Sequence, residues 1–172
     1  SLHNALVNNF AGGVFATNLQ RENILGVQTV SDLSELPKGE IDLAFFCTPA
    51  SSNETLLKQC AELGITSAFI ASAGYRESGE SGELAEASLL KLANSLGMLI
   101  AGPNGQGVVS TPASMCLQIV APYPPQGGIS VASQSGNFVS SFLNYSKQSG
   151  VGIARAISAG KGHHADWFGH CL

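Results

Sequence analysis

A chain of 172 residues that is 44% hydrophobic and only 12% charged can bury a core, which excludes a disordered tail. Its net charge is −4 and its Lys and Arg residues are scattered singly, so no basic stripe exists to meet a nucleic-acid backbone. No apolar run approaches the ~20 residues of a membrane span, and SLHNALVNNF has no basic stretch before an apolar core, so no signal peptide is expected. The four cysteines, Cys47, Cys60, Cys116 and Cys171, show no C-x-x-C spacing and are expected to be reduced, buried thiols of a cytoplasmic protein.

In chain order, SLHNALVNNF reads as the end of a helix, and GGVFATN (12–18) as a strand leaving a Gly-Gly turn, followed by a short SDLSEL helix. IDLAFFCTP (41–49) is a continuous apolar strand, and SSNETLLKQCAELG (51–64) is a helix with a Ser start and a Gly stop. TSAFIAS (66–72) is a strand. GELAEASLLKLANSLG (82–97) is a helix whose apolar face is expected from Leu84, Ala87, Leu90, Leu92 and Leu96, and MLIAGP (98–103) is again a strand. Buried strands alternating with amphipathic helices define an α/β fold with a mainly parallel sheet covered on both faces.

After Val109 the pattern loosens, and the Pro-rich and Gly-rich APYPPQGG (121–128) suggests a boundary between a first domain, 1–121, and a second, 127–172. GGISVASQSGNF (127–138) reads as strand, tight turn and helix, with Phe138, Val139, Phe142 and Leu143 at helical spacing. ARAISAG (154–160) is a further strand and HADWFGHCL an aromatic helix start. Both domains read as incomplete. One helix and two strands do not close a core, and a doubly wound sheet normally opens with a strand and a Gly-rich loop ahead of its first helix.

In such sheets ligands sit beyond the carboxyl ends of the strands, here FCTPASS, ASAGYRESG, AGPNGQG, ASQSGNF and SAGKGHHAD. All five are small and rich in Gly or Ser, which suits close approach of main-chain N–H groups to phosphates and amides and equally suits ordinary strand-to-helix turns. The turn before Phe138 points unpaired helix N–H groups at an anion. Ser135 sits where a hydrolase exposes its nucleophile but lacks the first Gly of G-x-S-x-G. His163 and His164 with Asp166 make a poor metal set, Lys161 could pair with phosphate or face water, and Cys47 is expected as a core thiol.

Through AGPNGQGVV, SAGYRESGESG, GGISVASQSGNF and SAGKGHHAD, in that fold context, the chain resembles the NDP-forming acyl-CoA synthetases and the alpha subunit of succinyl-CoA synthetase. Those enzymes carry a G-P-N-C-x-G turn, an S-A-G-[FY] turn, a strand into S-Q-S-G or S-R-S-G, and S-x-G-N-x-A-D. The resemblance implies a Rossmann-like CoA-binding domain lacking its first strand, followed by the beginning of a flavodoxin-like ligase domain. It places the coenzyme A site on Thr17, on Thr48, Pro49 and Ala50, on Ser72, Ala73 and Gly74, and on Pro103 and Asn104. It places a phosphate site on Ser135, Gly136 and Asn137. The family forms an acyl phosphate, moves the phosphoryl group to a histidine, and lets the CoA thiol attack the acyl group.

Three departures matter. Gly105 stands where the family commonly has Cys or Ser, Lys161 and Gly162 replace the Asn-containing turn, and the phosphorylated histidine of the family lies beyond Leu172, so that His163, His164 and His170 do not take its role. The expected function is therefore a fragment of an acid–CoA ligase, inactive alone, with coenzyme A and phosphate as ligands, no tightly bound cofactor and no metal. A nucleotide-grasp domain or subunit would be its partner in the full enzyme. The missing strand would leave an apolar edge that promotes homo-oligomers. The alternatives are a stand-alone CoA-binding or nucleotide-binding module without catalysis, and a serine hydrolase.

Overall fold

The computed structural model describes residues 1–160, so Lys161, the histidines at 163, 164 and 170, Cys171 and the HADWFGHCL helix start lie outside the described residues. The chain opens on α1 (Leu2–Val7). A minimal antiparallel hairpin follows, β1 (Asn23–Ile24) and β2 (Val27–Gln28), turning through Leu25 and Gly26, both at positive φ, the twist a two-residue hairpin demands. The expected SDLSEL helix is a single 3₁₀ turn, Leu33–Glu35, closed by a reciprocal cap between Asp32 and Glu35.

Three short strands, β3 (Ala44–Phe46), β4 (Ser67–Ile70) and β5 (Leu99–Ala101), pair in parallel in that order. Parallel neighbours need long crossovers, which α2 (Ala50–Glu62) and α3 (Glu80–Ser95) supply. Their packing produces the first core, in which Phe46, Leu57, Ile70, Leu89, Ala93 and Ile100 are buried. The apolar face of α3 follows the sequence expectation at Leu90, Leu92 and Leu96, which pack against this core, and departs from it elsewhere. Leu89 and Ala93, one turn apart, point inward, whereas Leu84 is 67% exposed and Ala87 is exposed, because the sheet covers only a narrow stripe of this helix.

GGVFATN is not a strand of this sheet. It makes one parallel bridge, Thr17 with Val30, in which the Asn18 N–H donates to the Val30 carbonyl at 2.9 Å and the Val30 N–H donates to the Ala16 carbonyl at 3.1 Å. Its opposite side meets no strand among the described residues. Phe15 and Thr17 there line a cavity shared with β3, so pairing stops after one residue.

The stretch after Val109 is a hairpin that the sequence reading missed: β6 (Gly107–Ser110) pairs antiparallel with β7 (Met115–Gln118). β8 (Gln126–Ser133) and β9 (Ile153–Ser158) are parallel and joined by α4 (Gly136–Ser149). The sheet order is β7-β6-β9-β8, so this mixed sheet takes two strands from before the Pro-rich stretch and two from after it. Its core gathers Val109, Cys116, Val139, Leu143, Ile153 and Ala156. The two sheets are tied where the Gly102 N–H donates to the Ala159 carbonyl at 3.1 Å and the Gln106 N–H to Ser158 Oγ at 3.0 Å.

Of the described cysteines, Cys60 and Cys116 are buried free thiols as expected, but Cys47 is exposed. It follows an edge strand beside the cavity, where no strand among the described residues covers it. No described helix is long and apolar enough to cross a membrane.

Candidate functional site

The loops after β3, β4 and β5 meet along one rim, and a single buried side chain organises it. Asn53 lies at the inward face of α2 with Leu57 and Cys60, at helical spacing i, i+4 and i+7, and is fully buried. Its Oδ1 accepts from Thr48 Oγ1 at 2.7 Å, and its Nδ2 donates to the Tyr75 hydroxyl at 2.7 Å and to Ser72 Oγ at 3.2 Å. The turn after β3 and the turn after β4 are therefore locked to each other. Burial pushes the Tyr75 hydroxyl above its ordinary pKa, so the network holds a neutral phenol.

The third turn joins through backbone, the Asn104 N–H donating to the Ser72 carbonyl at 3.0 Å. Asn104 adopts a left-handed conformation, φ 57°, which its short polar side chain tolerates. Six of the expected residues thus sit on one rim: Thr48, Pro49, Ala50, Ser72, Gly74 and Asn104, with the exposed Ala73 between them. Pro49 is the N-cap of α2 and supplies no side-chain cap; the Ser52 N–H donates to the Pro49 carbonyl at 3.0 Å, which leaves the N–H groups of Ala50 and Ser51 at the start of the helix without a side-chain cap. Pro103 is buried beneath Asn104, and Thr17 stands apart, across the cavity from Thr48.

Charge on the rim is held locally. Glu77 Oε1 accepts from the Gly74 N–H at 2.5 Å and the Tyr75 N–H at 3.2 Å, and Arg76 pairs with Glu83 at 2.7 Å. Among the described residues no group of His, Cys, Asp and Glu could hold a metal ion.

At the second expected site Ser135 caps α4, its Oγ accepting from the Phe138 N–H at 3.3 Å, while its own N–H donates to Ser133 Oγ at 3.1 Å. That amide is committed, which leaves the N–H groups of Gly136 and Asn137 at the helix mouth. Gln106, which the sequence reading passed over, closes on this mouth: its Nε2 donates to Asn137 Oδ1 at 3.1 Å and its Oε1 accepts from Ser140 Oγ at 2.5 Å. Gly136 makes room for it, since a Cβ there would stand 2.5 Å from Gln106 Cδ. The Gly of the Pro-Asn-Gly turn is explained in the same way. A Cβ on Gly105 would lie 2.4 Å from the Ser158 carbonyl oxygen and 2.5 Å from the Phe69 ring, which excludes a Cys or Ser without a backbone shift.

This arrangement is that of an α/β nucleotide-type fold with its ligand rim at the carboxyl ends of parallel strands. The chain belongs to the CoA binding domain family, which it matches over residues 3–111. It is 32% identical over 152 residues to an ADP-forming acetate–CoA ligase I of Archaeoglobus fulgidus, covering 88% of this chain and 22% of the relative. It is 31% identical over 149 residues to the alpha subunit of an ADP-forming acetate–CoA ligase II of Pyrococcus furiosus, covering 87% of this chain and 32% of that subunit. The apo form of the dinucleotide-forming acetyl-coenzyme A synthetase 1 of Ca. Korarchaeum cryptofilum superposes with a TM-score of 0.85 at 27% identity, over 93% of this chain and 34% of that one. The chain thus spans between about a fifth and a third of these proteins.

Proposed function

We propose that this chain binds coenzyme A on the rim formed by Thr48, Pro49, Ala50, Ser72, Ala73, Gly74, Pro103 and Asn104, with Thr17 closing the far side, as one part of an NDP-forming acid–CoA ligase. The observation that carries this reading is the uncapped first turn of α2 opening onto a rim that Asn53 holds rigid. A helix N-terminus without a cap favours a negatively charged group, and the small turns let the cofactor reach main-chain N–H groups directly. Arg76 is already paired with Glu83, so backbone carries most of the contact. In this reading residues 1–121 form the CoA-binding unit and 127–172 the start of the ligase unit. The N–H groups of Gly136 and Asn137 at α4 then steady a phosphoryl group delivered by the rest of the enzyme.

In this reading the chain alone makes no acyl-CoA from a nucleoside triphosphate, CoA and short acids, because the resemblance assigns nucleotide binding and the phosphorylated histidine to the rest of the enzyme. Isotope-labelled chain titrated with coenzyme A should show weak saturable binding, with a Kd of order 0.1–1 mM, about −5.5 to −4 kcal/mol. The shifted amides should be those of Ala50, Ser51, Ala73, Gly74 and Asn104. Shifts confined to other surfaces, or none at millimolar cofactor, would remove the assignment.

A further inference from the structure

A polar row crosses the mixed sheet beneath the first turn of α4. The register sets Cys116, Val109 and Ala156 side by side, and these pack with Val139 and Leu143 of α4, so they mark the face that this helix covers. Two positions away on that same face stand Gln118, Gly107 and Ser158, and Ser133 of β8 continues the row beside Ser158. The start of α4 lies over them, because the Ser135 N–H donates to Ser133 Oγ and the Gln106 side chain, next to Gly107, reaches Asn137 and Ser140. The row is unequally satisfied. Gln118 and Ser158 are both fully buried. Ser158 Oγ accepts from the Gln106 N–H at 3.0 Å, which leaves its own O–H to donate. The Gln118 main chain is bonded, its carbonyl accepting from Asn4 Nδ2 at 2.7 Å, but its side-chain Oε1 and Nε2 meet no hydrogen-bond partner among the described residues. Gly107, between the two, adds no side chain to the row. An amide buried with neither group bonded is costly, and protein interiors retain such a group with a partner.

We propose that Gln118 and Ser158 bind one internal water molecule between them, under the start of α4. A primary amide forms a closed pair with one water, which donates to Oε1 and accepts from Nε2, and the Ser158 O–H supplies a third bond. Three bonds are what a buried water ordinarily makes. The guest is neutral, because Gln118, Gly107, Ser158 and Ser133 carry no charge with which a buried ion could pair. The water supports the first turn of α4 from the inside, and its binding does not depend on whether the helix mouth takes a phosphoryl group.

The test uses the isotope-labelled 172-residue chain. Water-selective NOE and ROE spectra should show a cross-peak from water to the Gln118 side-chain amide, with the opposite signs that mark a long-resident water. Oxygen relaxation dispersion of the solvent should detect the same molecule, and its amplitude should drop in Gln118→Met, a side chain of similar size that cannot bond water. The amide shifts of that variant should centre on Gly107, Ser158 and the first turn of α4, and its thermal midpoint should stay level or fall, because the amide it replaces was satisfied. An absent or same-sign cross-peak at the Gln118 amide, or an unchanged dispersion amplitude in Gln118→Met, would overturn the proposal. So would a midpoint raised by several degrees, since that would show the amide to be buried dry. Should the Met variant fail to fold, Ser158→Ala removes the third bond alone: it should weaken the Gln118 cross-peak, and an undiminished one would equally overturn the proposal.

Discussion

Asn53 shows how much one residue carries. It is fully buried and holds three partners on two different loops, so Asn53→Ala leaves the Tyr75 hydroxyl and Thr48 Oγ1 unsatisfied in the interior. That substitution should cost about 1–3 kcal/mol in urea unfolding, and it should blunt the coenzyme A shifts at both turns together. The thiols separate by the same logic of exposure. Cys47 should alkylate readily in the native chain while Cys60 and Cys116 resist, which mass spectrometry after a short pulse resolves. Burial pushes the Cys60 thiol up to about 11 from 9.0. The unfolded chain thus loses this proton first, and between those two values the folded state binds more protons than the unfolded one. Cys60 therefore contributes stability that is intact below pH 9 and falls as pH rises toward 11. Denaturation midpoints across that window should fall, and Cys60→Ala should flatten the fall.

At the scale of the element, α4 is the helix most completely specified by local chemistry. Ser135 caps its start, and Gly150, left-handed at φ 77°, closes its end with an N–H to the Ser146 carbonyl at 2.9 Å. Ser135→Ala should lower stability by about 1 kcal/mol, read from thermal unfolding, with a small effect on phosphate binding because the free amides belong to Gly136 and Asn137. The opening turn of α3 is specified by contact instead. A Cβ on Gly82 would lie 1.8 Å from the Tyr75 carbonyl oxygen, a clash with backbone that no rotamer relieves. Gly82→Ala should therefore be more harmful than Ser135→Ala, by at least 2 kcal/mol, although Ala is the better helix former.

For the whole molecule, the mixed sheet decides cooperativity. β6 and β7 come from the half of the chain that also builds the parallel sheet, and β6 lies against β9 from the other half. Cutting the chain within 122–126 removes β8 and β9 and strips one edge of β6. Urea unfolding of the intact chain should therefore follow one transition by both far-UV circular dichroism and Trp-free tyrosine fluorescence in a Trp167→Phe variant. Two resolved transitions would show the sheets to be independent.

The sequence by itself determined the elements whose signal is local. The α2, α3 and α4 helices, the apolar runs of β3, β4 and β5, and the rim turns at Thr48, Ser72 and Asn104 follow from periodicity, caps and small residues, all of which act over a few positions. The motifs at Ser72 and Asn104, with GGISVASQSGNF and SAGKGHHAD, also carried the family. Tertiary structure alone decided the rest. GGVFATN has the composition of a strand, yet whether it becomes one depends on a neighbour, and Val30 supplies one residue of pairing. The β6–β7 hairpin was illegible because its burial comes from β9, more than thirty residues away. The face of α3, the exposure of Cys47, and the roles of Asn53 and Gln106 likewise depend on what the fold brings alongside. Periodicity reports that a residue has an inward side, and only packing determines what it meets there.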